Sequence, residues 1–266
     1  MTKKLLLLSL FSFATSAAQV TVREEPLVVG EKLELYSPVL NETRQLNVYL
    51  PEGYATSPER NYPVIYLLDG GMDEDFLHIA GLVQFASFEW IGKIQPSIVV
   101  GIANTDRKRD FTYPSENKED KELLPTSGGS AAFIGFLEKD VVPLVRSKYR
   151  TSDNSTIIGQ SLGGLLAAEI IVKRPDLFSN YIIVSPSLWW DNGVLLNLDI
   201  ASGKQRNVYV TVGKEGEEME QGARKLAEKL TPLHNVFFEF SETSTHADIL
   251  HFAVYSAFGK LKPKTP

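Results

Sequence analysis

The sequence predicts an α/β fold: a three-layer sandwich around a mostly parallel sheet, with an antiparallel hairpin at its N-terminal end. Three observations carry this expectation. Short apolar runs at 64–68, 98–102, 156–158, 181–184, 208–212 and 236–240 are rich in β-branched and aromatic residues, the composition of strands covered on both faces. Between or after them, the stretches 132–149, 165–173, 219–230 and 247–258 place apolar residues at helical spacing, and strands alternating with helices build a layered sheet. Ahead of both, Leu46, Val48 and Leu50 alternate with Gln45, Asn47 and Tyr49, and the stretch around Leu33 and Leu35 alternates likewise. That is the period of half-buried strands, and the Asn41-Glu42 turn between them pairs the two as a hairpin at the sheet edge.

Bulk properties agree with one large domain. The chain has 266 residues, 43% of them hydrophobic and 23% charged, enough to bury a sizeable core. The formal charge is −6, and no basic run is interleaved with aromatics, so a nucleic acid partner would meet repulsion. Lys3 and Lys4, the apolar stretch 5–14 and the small residues Ser16-Ala17-Ala18 read as an export signal, which makes 1–18 a signal peptide and 19–266 a single exported domain, periplasmic or secreted. The apolar stretch is too short for a stable membrane span, which takes about 20 residues. With no cysteine in the chain there is no disulfide framework, so stability rests on the core. The segment 107–130 stands apart as long, polar and charge-dense, the character of a lid or a disordered loop.

The strongest motif is Gly159-Gln160-Ser161-Leu162-Gly163-Gly164, a G-x-S-x-G directly after one strand and directly before a helix. That context defines a nucleophile elbow, in which a sharp turn lifts a serine hydroxyl above the sheet. A glycine-rich turn with a helix-capping serine is the bland alternative. Serine needs a base, and of the four histidines only His246 follows the last strand by a short loop, at the sheet edge where open α/β folds bind ligands. His78 precedes the elbow, His234 lies at the opposite end of the sheet, and His251 falls within the last helix. The spacing of five between His246 and His251, with no third ligand at zinc-site spacing, leaves no expected metal site.

The triad acid belongs between serine and histidine in chain order. Lys214-Glu215-Gly216-Glu217-Glu218 follows the 208–212 strand and offers three carboxylates; Glu215 is the first choice and Glu217 the second. Some of these acids serve only the following helix dipole. The oxyanion hole is expected from the backbone amides of Leu162 and of Gly70 or Gly71. Trp189 and Trp190 cannot both face one core direction, so one of them is expected to line a substrate pocket. Arg107, Lys108 and Arg109 form a basic cluster that would attract an anionic ligand.

Three segments, Tyr62-Pro63-Val64-Ile65-Tyr66-Leu67-Leu68-Asp69-Gly70, Gly159 to Gly164 and Ser185-Pro186-Ser187-Leu188-Trp189-Trp190, together resemble the esterase family of α/β-hydrolases. That family includes enterobactin-type siderophore esterases and S-formylglutathione hydrolases, and the likeness is nearest to the periplasmic trilactone esterase branch. It runs from about Leu33 to Phe258. The resemblance implies an α/β-hydrolase fold, hydrolysis of a small-molecule carboxylic ester through an acyl-enzyme, and no cofactor. In that branch serine and histidine are constant while the acid varies, which bears on Glu215. The segment Asn104 to Pro114 is similar to the family's substrate loop. Two other functions fit the same residues: acyl transfer to an alcohol on the same triad, as in the mycolyltransferases, and a non-catalytic periplasmic binding protein on a hydrolase scaffold. Intact Ser161, His246 and neighbouring acids stand against the second.

Overall fold

A computed structural model describes residues 22–261 of the chain; the expected signal segment 1–18 lies outside them. The strands are β1 Glu31–Ser37, β2 Glu42–Tyr49, β3 Tyr62–Leu67, β4 Ile98–Ile102, β5 Thr151–Gln160, β6 Asn180–Val184, β7 Asn207–Val212 and β8 Asn235–Phe240. The α-helices are α1 Phe76–Ser87, α2 Arg107–Phe111, α3 Lys118–Leu123, α4 Ser130–Phe136, α5 Val142–Lys148, α6 Leu162–Lys173, α7 Glu217–Leu230 and α8 Ile249–Lys260. One eight-stranded sheet has the order β1-β2-β4-β3-β5-β6-β7-β8. The β1–β2 and β2–β4 pairs are antiparallel and every other pair is parallel. The expected hairpin therefore forms the edge, with Asn41 at its turn in the left-handed region, φ 55°, a conformation that asparagine tolerates better than most residues.

Side chains of a strand point alternately to its two faces, and here both faces are covered. Val64, Tyr66, Ile157, Tyr181, Ile183 and Val208 pack under the helices of one layer, among them Phe133, Leu166 and Leu226. Ile65, Leu67, Val99, Ile158, Ile182 and Tyr209 meet α1 and α8 on the other. This is why the parallel strands read as unbroken apolar runs rather than as alternations.

Several boundaries follow from single residues. The 132–149 periodicity is one long helical stretch, but α4 and α5 are joined by a π-helical turn at Leu137–Val141. Pro143 near the start of α5 has no N–H to give, and a widened turn before it absorbs the missing bond. Helix α1 was not anticipated, although Phe76, Ile79, Ala80, Val83 and Ala86 are buried along one face of it at spacings that a helical count detects.

The charge-dense 107–130 segment is not structureless. It carries α2 and α3, and Arg44, fully buried on β2, clamps it: Arg44 Nη1 donates to Asp110 and to Glu42, both at 2.7 Å. The guanidinium also sits over the rings of Phe133 and Phe136. A buried cation is costly unless paired and hydrogen-bonded, and the two carboxylates answer that need. Burial would raise the Glu42 carboxyl, yet hydrogen bonds from Arg109 and Arg44 outweigh it and hold the group below its ordinary range.

Candidate active site

Ser161 sits between the end of β5 and the start of α6 with φ 60° and ψ −119°, a strained conformation for any residue with a Cβ. The surroundings hold it there. Its N–H donates to the Val184 carbonyl at 3.0 Å, and its own carbonyl accepts from the amides of Leu165 at 2.9 Å and Ser187 at 3.1 Å. The flanking glycines are required by space: a Cβ on Gly159 would lie 2.2 Å from the Gly163 carbonyl oxygen, and one on Gly164 would lie 2.8 Å from that of Val184. The elbow expected from G-x-S-x-G is thus present, with the Ser161 hydroxyl 3.4 Å from that of Ser187. The Leu162 amide, at the first residue of α6, makes no hydrogen bond to another described residue, so it is available to an anion at the helix N-terminus.

His246 lies in the loop between β8 and α8. That loop is fastened to the end of β7, because Ser241 N–H donates to Val212 at 2.9 Å and Lys214 N–H donates to Ser244 at 2.7 Å. His246 Nδ1 and Glu215 Oε2 are 2.5 Å apart. The other Glu215 oxygen accepts from the Ser185 hydroxyl at 2.5 Å and from the Gly213 amide at 2.9 Å. Burial by itself would raise the Glu215 carboxyl, but the bonds with His246, Ser185 and Gly213 prevail and keep it below the ordinary range. Of the three candidate carboxylates, only Glu215 is hydrogen-bonded to His246. Glu217 and Glu218 lie exposed in the first turn of α7, where negative charge favours the helix dipole, and Glu217 accepts from Gln221 at 2.6 Å.

Ser161, Ser187, Trp189, Lys214, Glu215, Met219, Thr245 and His246 line one open cleft. Gln160, the variable residue of the motif, donates through Nε2 to the His246 carbonyl at 2.6 Å, tying the elbow to the histidine loop. Neither Gln160 nor Ser185 stood out in the sequence, since their contacts join residues 86 and 30 positions apart. His234 is buried elsewhere, before β8, and its imidazole is pushed down by burial and by Arg206.

Other expected residues are placed differently. The Gly70 amide, in the loop after β3, donates to the carbonyl of Ile102 at the end of β4 at 2.9 Å, which removes it as an oxyanion donor. The Gly71 amide donates to the Glu74 carboxylate at 2.6 Å, so it too is occupied. Arg107 is not a free anion binder: Nε and Nη2 grip the two oxygens of Asp69 at 2.6 and 2.9 Å, and Nη2 reaches the Gln160 carbonyl at 3.3 Å. Arg109 is spent on Asp110 and Glu42, at 2.8 and 2.7 Å.

The tryptophans divide as their adjacency requires, with only Trp189 on the cleft. Trp190 is fully buried, donating from Nε1 to the Tyr113 carbonyl at 2.8 Å, so it is a core residue rather than a pocket wall. Trp190→Ala is accordingly expected to cost about 3–5 kcal/mol, the usual loss for a buried aromatic, measured by urea unfolding. Trp189→Ala should cost a small fraction of that.

Among the described residues no group of three or more His, Asp or Glu side chains is arranged to hold a metal ion, and no helix is long and apolar enough to cross a membrane. A mostly parallel sheet of this order, with a serine on a strained strand-to-helix turn and a hydrogen-bonded acid–histidine pair after later strands, defines an α/β-hydrolase. Residues 37–260 match the Esterase family model, and the chain belongs to that family. It is a carboxylic ester hydrolase. The ferri-bacillibactin esterase BesA of Bacillus subtilis is 30% identical over 235 residues, covering 79% of this chain and 81% of BesA. The crystal structure of an IroE-like serine hydrolase from Shewanella oneidensis superposes with a TM-score of 0.76 at 32% identity, covering 87% of this chain and 79% of the other. The BES protein from Bacillus cereus gives a TM-score of 0.76 at 27% identity, covering 90% and 98%.

Proposed function

We propose that the chain hydrolyses a siderophore-type ester through an acyl-enzyme on Ser161, with His246 as general base and Glu215 orienting and charge-stabilising its imidazole. The observation that carries this reading is the 2.5 Å contact of Glu215 with His246 Nδ1, on a histidine that shares one cleft with Ser161. With Nδ1 given to the carboxylate, Nε2 is left to take the serine proton. The serinate attacks the ester carbonyl, and the oxyanion develops beside the Leu162 amide, where the N-terminus of α6 favours negative charge. His246 then protonates the departing alcohol, and water repeats the cycle to release the acid. The openness of the cleft to solvent supports water rather than a sequestered alcohol as the acyl acceptor. Export, as the basic-apolar-small pattern of 1–18 implies, would bring the enzyme to extracytoplasmic esters.

Siderophore esters are supported by the names of the similar proteins, BesA among them, and by the cleft itself. Trp189 offers a broad apolar surface to an aryl or acyl group. Lys214 brings to the wall a cation that forms no salt bridge among the described residues. The test is a panel of esters, with a catecholate trilactone set against short neutral esters. The trilactone should show the highest kcat/KM. Lys214→Ala should raise its KM about three- to ten-fold with kcat unchanged, an effect that fades in high salt, while a neutral ester is unaffected. Equal preference across the panel would remove the siderophore assignment and leave the serine mechanism standing.

A further inference from the structure

We propose that His78 and His251 form a binding site for one divalent transition-metal cation of the nickel or copper type, bridging helices α1 and α8. The residues are 173 positions apart, yet His251 Nε2 lies 2.9 Å from His78 Nδ1. Their ring centroids are 4.9 Å apart and their planes are inclined by 31°. Both side chains are exposed, on the third residue of their respective helices, and neither takes part in the proposed ester chemistry.

A cation held about 2.1 Å from each of two imidazole nitrogens at right angles sets those nitrogens about 3.0 Å apart. The two donors already stand at that separation, so the rings need only pivot to aim at a common centre. Without a cation, one imidazole donates its proton to the other; the cation takes the place of that proton.

Local charge favours the exchange. Asp75, the residue just before α1, interacts electrostatically with both imidazoles and with Asp69 and Glu74. A dication adds to the neutralisation that Arg107 begins through its ion pair with Asp69 and its electrostatic interaction with Glu74 and Asp75. No third protein donor completes the set among the described residues, so water fills the remaining positions and the cation exchanges readily. Imidazole donors select against hard cations such as magnesium, which prefer oxygen. The site joins two helices that pack on the same face of the sheet: α1 follows the Asp69 loop and α8 follows the His246 loop.

Isothermal titration of nickel chloride into the full chain, prepared without an affinity tag, tests the proposal. One cation per chain should bind; His78→Ala and His251→Ala should each weaken it at least ten-fold; His234→Ala should bind as the unaltered chain does. Magnesium chloride should give no heat. Hydrolysis of a neutral ester should persist in both variants, confirming that they fold. Undiminished binding in either variant, equal binding of magnesium, or no nickel binding at roughly millimolar concentration would each overturn it.

Discussion

Ser161→Ala is expected to lower kcat for ester hydrolysis by a factor on the order of 10⁶, since the members of such a triad act as a unit and losing the nucleophile forfeits nearly all that they contribute together. The protein should remain folded. The strain at Ser161 is held by its backbone bonds to Val184, Leu165 and Ser187, none of which uses the hydroxyl. Alanine keeps the Cβ, so the left-handed φ costs what it already costs. Two measurements check this: turnover of a chromogenic ester, and labelling by a fluorophosphonate, which should modify Ser161 in the unaltered chain and nothing in the variant. Activity persisting near the original level in Ser161→Ala would refute the assignment, and retained labelling would point to another serine. Ser187, whose hydroxyl is 3.4 Å away, is the neighbour to examine first.

Glu215→Gln is expected to reduce kcat by as much as about 10⁴, the loss seen when a triad acid becomes an amide and the imidazole is held in the wrong tautomer. Turned the other way, the amide nitrogen would face the Ser185 and Gly213 donors in place of the oxygen that now accepts from both. Glu217→Gln, out on α7, should leave turnover within about two-fold of the original, since an exposed surface charge contributes little. If both changes prove silent, the machinery is a Ser161–His246 dyad and the Glu215 contact is structural.

The lowered Glu215 carboxyl also has a stability consequence of definite sign. Its folded value lies below the unfolded value near 4.5, so the carboxylate contributes stability that is complete above that value. The contribution is lost as pH falls through the lower folded value. The acid-unfolding midpoint should therefore move to higher pH in Glu215→Gln, which can be followed by circular dichroism.

Much of the fold and the heart of the site were legible from local pattern. Runs such as 98–102 and 208–212 announce strands covered on both sides because a parallel sheet buries both faces. The elbow is legible because its constraints are local: the glycines at 159 and 164 and the serine between them lie within six consecutive residues, and a Cβ at either glycine collides. Chain order and the position of a loop after the last strand make His246 the expected base, and the carboxylate in contact with it is the first of the three that the sequence offers.

What only the tertiary structure decided are the partnerships between distant segments. Composition displays the charge of Arg107 and Arg109 but not that Asp69, Asp110 and Glu42 arrive to neutralise them. Gly70 and Gly71 look equally free in the sequence; the strand beside one and the Glu74 carboxylate beside the other occupy their amides. Adjacent tryptophans were expected to part, but which one is buried depends on Tyr113, 77 positions away. In the sequence His78 is only a residue ahead of the elbow and His251 one within the last helix, until the packing of α1 on α8 sets them face to face. The physical reason is common to all four. Hydrophobic periodicity and turn chemistry are properties of neighbouring residues, whereas hydrogen bonds and ion pairs across the sheet depend on which loops the strand order brings to the same place.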